Sequence, residues 1–96
     1  MIEYLYDAIR AVAGQDIEIN AKITNDDDML ITENCELVIH FRDGDMKHYP
    51  GTYIPELGEW SFTVPGEDTL GIHGKHFYCI QRNNQNLCFK TPLFLV

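Results

Sequence analysis

Basic residues are the scarcest class of charged side chain in this sequence. Its 96 residues include 7 Lys and Arg against 15 Asp and Glu, which gives a formal net charge of −8 at pH 7. Such a charge repels phosphate backbones and acidic lipid headgroups. Because the few cations are also scattered along the chain, we expect neither nucleic acid nor a membrane as a partner.

The chain also lacks the amino-terminal pattern of an exported protein. Glu3 and Asp7 stand where a secretory signal has a basic segment followed by an apolar run. The three cysteines are an odd number in a chain without such a signal, so we expect reduced thiols rather than a disulfide framework. With 45% hydrophobic residues, the composition is that of a folded protein and excludes disorder.

Catalytic motifs are absent as well. Ser61 is the only serine, and it lies within a predicted strand rather than in a Gly-x-Ser-x-Gly elbow. No phosphate-binding loop of the Gly-x-x-x-x-Gly-Lys type occurs. We therefore expect a protein that is not an enzyme and has no catalytic residues.

Two groups of residues suggest metal ligands, but neither forms a complete ligand set. His73 and His76 lie three residues apart, and His40 and His48 flank a predicted hairpin, yet structural zinc needs four ligands and catalytic zinc three. The acidic run at residues 25–28 lacks the glycine and the terminal glutamate of a calcium-binding EF-hand loop. We expect surface histidines, no metal site and no cofactor.

The first feature that is present is an amphipathic pattern at the amino terminus. Apolar side chains recur there at spacings of three and four and are followed by Gly14, which predicts a helix over residues 2–13. The apolar stripe consists of Ile2, Leu5, Ile9 and Val12. Because an isolated helix shorter than ~12–15 residues is marginal in water, we expect this stripe to dock either on the domain's own sheet or on another subunit.

The rest of the chain follows the period of two that is typical of β-strands. The clearest case runs from Gly58 to Pro65, where Trp60 and two further apolar side chains alternate with polar ones. The Asp43-Gly44 pair predicts a hairpin, and Pro50 places the return strand of that hairpin at a sheet edge. The same alternation predicts strands within residues 15–23, 35–42, 46–49, 51–54, 58–65, 75–82 and 87–96.

The turn chemistry of the final hairpin predicts its register. Cys79 is expected opposite Lys90 and Cys88 opposite Gln81, so the two cysteines are diagonal neighbours ~7–8 Å apart, too far for a disulfide. Phe77 and both cysteines fall on the face away from the core, which we expect the amino-terminal helix or a neighbouring subunit to cover. The predicted core anchors are Trp60, Phe62, Val64, Tyr78, Ile80, Leu87 and Phe89.

Together these patterns predict a mainly β protein. We expect a two-layer, immunoglobulin-like β-sandwich of about six to eight antiparallel strands with one short amino-terminal α-helix. The chain is interpreted as one domain, in which residues 1–14 form the helical segment and residues 15–96 form the sandwich.

The order of several motifs resembles that of a known class of proteins. An acidic turn at residues 25–28 precedes Cys-Glu-Leu-Val-Ile-His-Phe at 35–41, Tyr53, Gly-Glu-Trp-Ser-Phe-Thr-Val-Pro at 58–65 and Gly-Lys-His-Phe-Tyr-Cys-Ile at 74–80. Over residues 15–96 this order resembles small immunoglobulin-like structural proteins of tailed bacteriophages and prophages, and is similar in pattern to the amino-terminal domain of upper baseplate proteins. The resemblance implies a virion component that holds subunits together, has no catalytic residues, and is made in the cytoplasm of a bacterial host before it joins the particle.

Two functions are compatible with these features. The first is a structural or assembly protein of a phage tail, baseplate or head–tail junction, which binds itself or other virion subunits. Its predicted interface residues are Ile2, Leu5, Ile9, Val12, Phe77, Cys79 and Cys88. The second is a carbohydrate- or peptide-binding module that uses Tyr49 and Tyr53 as rigid anchors; partial core packing with the hydroxyl group at the solvent is the other interpretation of these tyrosines.

Overall fold

Two β-sheets make up the protein. The computed structural model describes residues 8–83, 85–87 and 90–96. In chain order the strands are β1 (Ile9–Ala11), β2 (Ile17–Ala21), β3 (Cys35–His40), β4 (Met46–Pro50), β5 (Thr52–Ile54), β6 (Glu59–Val64), β7 (Gly74–Arg82), β8 (Gln85–Asn86) and β9 (Thr91–Leu95). The large sheet has the strand order β1-β9-β7-β3-β4 with β8 paired to β7, and the small sheet has the order β2-β6-β5. The predicted mainly β, two-sheet architecture is confirmed.

The predicted amino-terminal helix is wrong in the part that the structure describes. Ile9–Ala11 is strand β1, which pairs parallel with β9, so the strands are not all antiparallel as predicted. Ile9 and Ala11 pack against the core, and Arg10 between them is exposed. This stretch therefore satisfies a period of two as well as the helical spacing. Pairing with β9 prevails because so short a helix gains little by itself.

Helical structure is almost absent from the described part of the chain. A 3₁₀ turn at Gly66–Asp68 is the only helical segment among residues 8–83, 85–87 and 90–96. No helix in those ranges is long and apolar enough to cross a membrane. The first half of the predicted helix, at residues 1–7, lies outside the described residues.

The core lies between the two sheets. Trp60, Phe62 and Val64 on β6 are buried and alternate with more exposed polar residues, because successive side chains of a strand point to opposite faces. The strand β6 is central in the small sheet. The large sheet contributes the following side chains to the same hydrophobic core: Cys35, Leu37, Ile39, Tyr49, Tyr78, Ile80, Leu93 and Leu95.

The two hairpins of the large sheet differ in how well the sequence predicts them. At the first, Gly44 has a φ of +102°, β3 and β4 pair antiparallel, and β4 lies at the sheet edge as Pro50 predicts. At the second, Tyr78 faces Thr91 in the predicted register, but Gln81 faces Asn86 instead of Cys88.

The register of the final hairpin changes between its two strand pairs. β8 pairs with the end of β7 before the chain reaches β9, and Leu87 donates its backbone N–H to the Ile80 carbonyl at 2.8 Å. Leu87 packs against the core, whereas Phe89 and Cys88 lie outside the described residues. The prediction assumed one uniform ladder, which the additional residues after Asn86 interrupt.

Hydrogen bonds define the two ends of the sandwich. At one end, Gly14 N donates to Thr69 Oγ1 at 3.0 Å, and Ala13 N donates to Val96 O at 2.9 Å. At the other end, Trp60 Nε1 donates to Ile31 O at 2.7 Å. These are called the Gly14 end and the Trp60 end below.

Candidate functional site

An exposed aromatic and basic patch lies on the outer face of the large sheet, the face turned away from the core. It is defined by Arg10, Lys75, Phe77 and Phe94. On β9, Phe94 faces Arg10 of β1 on one side and Lys75 of β7 on the other. Residues directly opposite in neighbouring strands are within side-chain contact distance. The patch therefore places one aromatic ring between two cations.

The two phenylalanines of the patch remain open to solvent. Phe77 is 37% exposed and Phe94 is 38% exposed. The Nζ atom of Lys75 lies 5.4 Å from the centre of the Phe77 ring, which is a cation–π distance. This contact holds the lysine side chain over the sheet and keeps its charge at the patch.

A groove continues the patch toward the Gly14 end. Its lining residues are Arg10, Gly74, Lys75, Phe94, Leu95 and Val96, and its volume is about 460 Å³. A side-chain Cβ at Gly74 would lie 3.6 Å from Nη1 of Arg42, so a third cation approaches the same place. The groove thus has apolar walls and a basic rim in a chain whose net charge is −8.

The part of the outer face around Val38 and Cys79 is closed to solvent and bordered by polar side chains. Val38 and Cys79 point outward by alternation, yet both are fully buried. The Sγ atom of Cys79 lies 3.5 Å from His40 Nε2 and donates to Asn86 Oδ1 at 3.6 Å. The predicted position of Cys79 on the face opposite the core agrees with its strand register, but its thiol has no open approach from solvent.

The protonated form of His40 is disfavoured beside this thiol. Burial lowers the pKa of His40 below its ordinary value, and the positive charges of Lys90 and His48 lower it further. Nearby, His48 and Glu36 are paired at 2.9 Å between Nδ1 and Oε1. In this part of the face, therefore, polar side chains contact one another.

The other predicted interface residues do not form one surface where the structure describes them. Ile9 packs against the core through β1. Val12 is exposed near the Gly14 end. Ile2, Leu5 and Cys88 lie outside the described residues. Of the four that the structure describes, Ile9, Val12, Phe77 and Cys79, only Phe77 belongs to the aromatic and basic patch.

Both candidate ligand-binding tyrosines contact other side chains of the protein. Tyr49 is 7% exposed, and its hydroxyl group donates to Asp68 Oδ2 at 2.9 Å. Burial raises the pKa of Tyr49, and the hydrogen bond to Asp68 and the charge of that carboxylate raise it further. Tyr53 packs on Trp60 with 5.6 Å between ring centres. Tyr49 is therefore closed to a ligand, whereas Tyr53 is only partly buried beside Trp60.

The candidate metal ligands are used in other ways. His76 is buried rather than at the surface as predicted: its Nδ1 accepts from Arg42 N at 2.9 Å and its Nε2 donates to His73 O at 3.0 Å. In the acidic run, Asn25 Oδ1 accepts from the backbone N–H groups of Asp27 and Met29. Within the described ranges, no three His, Cys, Asp or Glu side chains are grouped to hold a metal ion.

Sequence reasoning missed most of the patch. The register predicted for the final hairpin places Lys75 opposite Phe94, so the sequence was sufficient to predict this pair. The place of Arg10 in the patch could not be predicted, because it depends on β1 pairing with β9, a contact between residues more than 80 positions apart.

Neither a protein-family model nor a curated protein sequence matches this chain.

Proposed function

We propose that this chain is a non-catalytic assembly protein that works through protein–protein contacts made by the aromatic and basic patch. One observation carries the proposal: exposed Phe94 lies between Arg10 and Lys75 on an open sheet face. Aromatic residues and arginine are enriched at the energetic centres of protein interfaces. A flat β-sheet face with such a centre suits a protein partner.

The charge of the chain favours a protein over a nucleic acid at this patch. Three of the seven basic side chains, Arg10, Arg42 and Lys75, meet around the groove, while the chain carries 15 acidic residues overall. A nucleic acid would bring its phosphates against the field of that acidic excess. A protein surface with a local acidic segment matches the patch without this penalty.

We infer further that the sandwich is immunoglobulin-like. The strand order supports this: β9-β7-β3-β4 in one sheet and β2-β6-β5 in the other correspond to the GFCC′ and BED strands of that arrangement. The short parallel strand β1 beside β9 covers one edge of the large sheet. The predicted topology is therefore retained as a proposal, with β1 in place of the predicted helix.

The resemblance in motif order supports a place for this assembly protein in a phage or prophage particle, in the tail, baseplate or head–tail region. Such a protein would be made in the cytoplasm of the bacterial host and then incorporated into the virion. Its partners would be copies of itself or other virion subunits. The alternative carbohydrate- or peptide-binding role is disfavoured at Tyr49, which is buried, and would depend on Tyr53, which is partly exposed beside Trp60.

Measurement of mass against concentration tests the proposed contact. We expect the wild-type protein to self-associate as its concentration rises, and Phe94→Asp to remain monomeric because it places a carboxylate between two partner-facing cations. Thr63→Asp is the matched control, since Thr63 is exposed on β6 of the small sheet, away from the patch. A wild-type chain that stays monomeric at every concentration and salt level would contradict self-association through the patch, and a Thr63→Asp variant that dissociates as readily as Phe94→Asp would contradict the patch as the contact surface.

A further inference from the structure

The groove beside the patch has the chemistry to bind an acidic segment with an apolar tip. Its rim carries Arg10 and Lys75, with Arg42 close to Gly74, and its walls are formed by Phe94, Leu95 and Val96. Its volume of about 460 Å³ lies within the range of ligand-binding clefts, roughly 300–1,000 Å³. None of the three cations forms an ion pair within the described part of the chain.

A segment with the matching chemistry exists on the same protein. Residues 25–30 read Asn-Asp-Asp-Asp-Met-Leu, and all six positions after Thr24 are exposed. Met29 is 65% exposed and Leu30 is 43% exposed, immediately after three carboxylates. We call residues 25–30 the acidic loop.

The acidic loop is stiff enough to act as a preformed ligand. Asn25 accepts hydrogen bonds through Oδ1 from Asp27 N at 2.9 Å and from Met29 N at 3.1 Å. Asn25 N also donates to Met29 O at 2.8 Å, and Thr24 and Leu30 form an isolated β-bridge. A loop that is already ordered loses less conformational entropy on binding.

The loop and the groove lie at opposite ends of one molecule. Strand β2 begins near the Gly14 end, where Ile17 faces Val64, and runs toward Trp60, which faces Ala21. The acidic loop follows β2 at the Trp60 end, while Leu95 and Val96 place the groove at the Gly14 end. The loop is fixed at the Trp60 end by its own hydrogen bonds and by the bridge between Thr24 and Leu30, so it does not occupy the groove of its own chain.

We propose that the acidic loop of a second copy of this chain occupies the groove, which joins copies head to tail. This inference rests on the proposed assembly function and names the partner for it. The contact joins two different surfaces of identical chains, so it is heterologous. Repeated copies form a ring if the rotation between neighbours returns to the first copy, and a filament if it does not. In each contact the aspartates face the cations, and Met29 and Leu30 lie against the apolar walls.

The contact is small, and its strength should depend on salt. One six-residue loop in one groove is at the low end of interface sizes, which is typical of transient contacts. Attraction between exposed charges weakens as salt shortens the Debye length from about 10 Å at 0.1 M to about 3 Å at 1 M. We therefore expect association at high protein concentration and its loss in high salt.

Complementation between two variants tests the head-to-tail geometry. The groove variant Lys75→Glu/Phe94→Asp keeps its acidic loop, and the loop variant Asp27→Lys/Met29→Ser keeps its groove. We expect each variant alone to be monomeric, with association weakened roughly tenfold or more. An equimolar mixture should form a heterodimer that does not grow further, because only one of the two interfaces in each pair is intact.

The control matches the number of added carboxylates. Thr52→Glu/Thr63→Glu places two carboxylates on exposed positions of the small sheet, and it should associate like the wild-type protein. Circular dichroism and the fluorescence of Trp60 verify that every variant is folded. Sedimentation velocity then gives the mass of each species.

The outcomes separate this inference from the function on which it rests. A heterodimer in the mixture, with monomers in each variant alone, supports the head-to-tail contact. Wild-type self-association that Phe94→Asp abolishes, together with a mixture that stays monomeric, overturns the loop as occupant but leaves the patch as an interface. A wild-type protein that remains monomeric at all concentrations overturns the head-to-tail contact and any self-association through the patch, and leaves the proposed function only with a different virion subunit as partner.

Discussion

Trp60 is the single residue on which the core depends most. It is 4% exposed, it stacks on Phe62 with 6.2 Å between ring centres, and its indole N–H donates to the Ile31 carbonyl at 2.7 Å. The ring therefore fills the space between the sheets at the Trp60 end, and its polar atom is satisfied there. A buried indole with a satisfied N–H combines a large apolar area with a fixed orientation.

Removal of this ring should strongly destabilise the protein. We expect Trp60→Ala to lower the free energy of unfolding by about 3–5 kcal/mol, because it removes the buried side chain and leaves a cavity. Trp60→Phe should cost less, since it keeps a ring and loses mainly the hydrogen bond to Ile31. Denaturant unfolding followed by circular dichroism measures both values, with Thr63→Ala as an exposed control. A Trp60→Ala variant as stable as the control would show that the ring is not a core anchor.

Tyr49 should make the protein lose stability at alkaline pH. Burial first, and then Asp68, raises its pKa above the ordinary value of about 10. The folded chain therefore keeps the phenol protonated at a pH where the unfolded chain releases it. The resulting stabilisation is complete below about pH 10 and is lost as the pH rises above that value.

The Tyr49→Phe variant isolates this contribution. Denaturant midpoints measured between about pH 8 and about pH 11 should fall less steeply in the variant than in the wild-type protein. Some alkaline loss should remain, because burial raises the pKa of the Cys35 thiol to about 11 against the opposing charge of Arg82. Equal slopes for the two proteins would contradict the role given to the Tyr49 hydroxyl group.

The sequence identifies core residues better than it identifies the partners of polar residues. Trp60 is recognisable because its strand alternates strictly between two breakers. Core packing is one of the two interpretations that the sequence offers for Tyr49, but its hydrogen bond to Asp68, 19 positions away, is not recognisable. His76 is not recognisable as buried, because a histidine near a glycine-rich connection looks exposed until the fold brings Arg42, 34 positions away, to it.

At the scale of elements, Gly51 controls how the chain crosses between the sheets. It joins β4 of the large sheet to β5 of the small sheet, and its N–H donates to the Cys35 carbonyl at 3.0 Å. A Cβ at this position would collide with the ring of Phe62 and lie 2.7 Å from Cε3 of Trp60. A side chain at residue 51 would therefore force the rings of Phe62 and Trp60 to move.

The Gly51→Ala variant should be destabilised by overpacking. We expect a loss of about 1–3 kcal/mol in the free energy of unfolding, because two core rings must move to admit the methyl group. The neighbouring exposed substitution Thr52→Ala should stay within about 0.5 kcal/mol of the wild-type value. Chemical denaturation of the three proteins checks this, and a Gly51→Ala variant as stable as Thr52→Ala would contradict the close packing.

Predictions of elements succeeded where local signals sufficed. The alternating strands and the Asp43-Gly44 hairpin carry their own patterns, and the structure contains them. The amino-terminal stretch satisfied a helical spacing and a strand spacing at once, and a distant strand, β9, decided between them. The end of the final hairpin failed for a similar reason, since no local signal marks the residues that shift its register after Asn86.

At the scale of the whole molecule, the charge distribution matters more than the net charge. The overall value of −8 suggests a uniformly acidic surface, yet Arg10 and Lys75 flank Phe94 at the Gly14 end, with Arg42 close to Gly74, and the acidic loop lies at the Trp60 end. The sequence alone does not reveal this polarity, because the three cations come together only through the pairing of β1, β9, β7 and β3. The two-sheet architecture was predictable, and the arrangement of the patch was not.

Photo-crosslinking tests most directly whether the outer face of the large sheet is an interface. Benzoylphenylalanine placed at position 94 keeps an aromatic ring in the patch, and the same group at position 63 reports on the outer face of the small sheet. After irradiation of the concentrated protein, mass spectrometry should find covalent dimers linked through position 94 and none through position 63. Crosslinks through position 63 alone, or no dimer from either position, would contradict self-association through the patch.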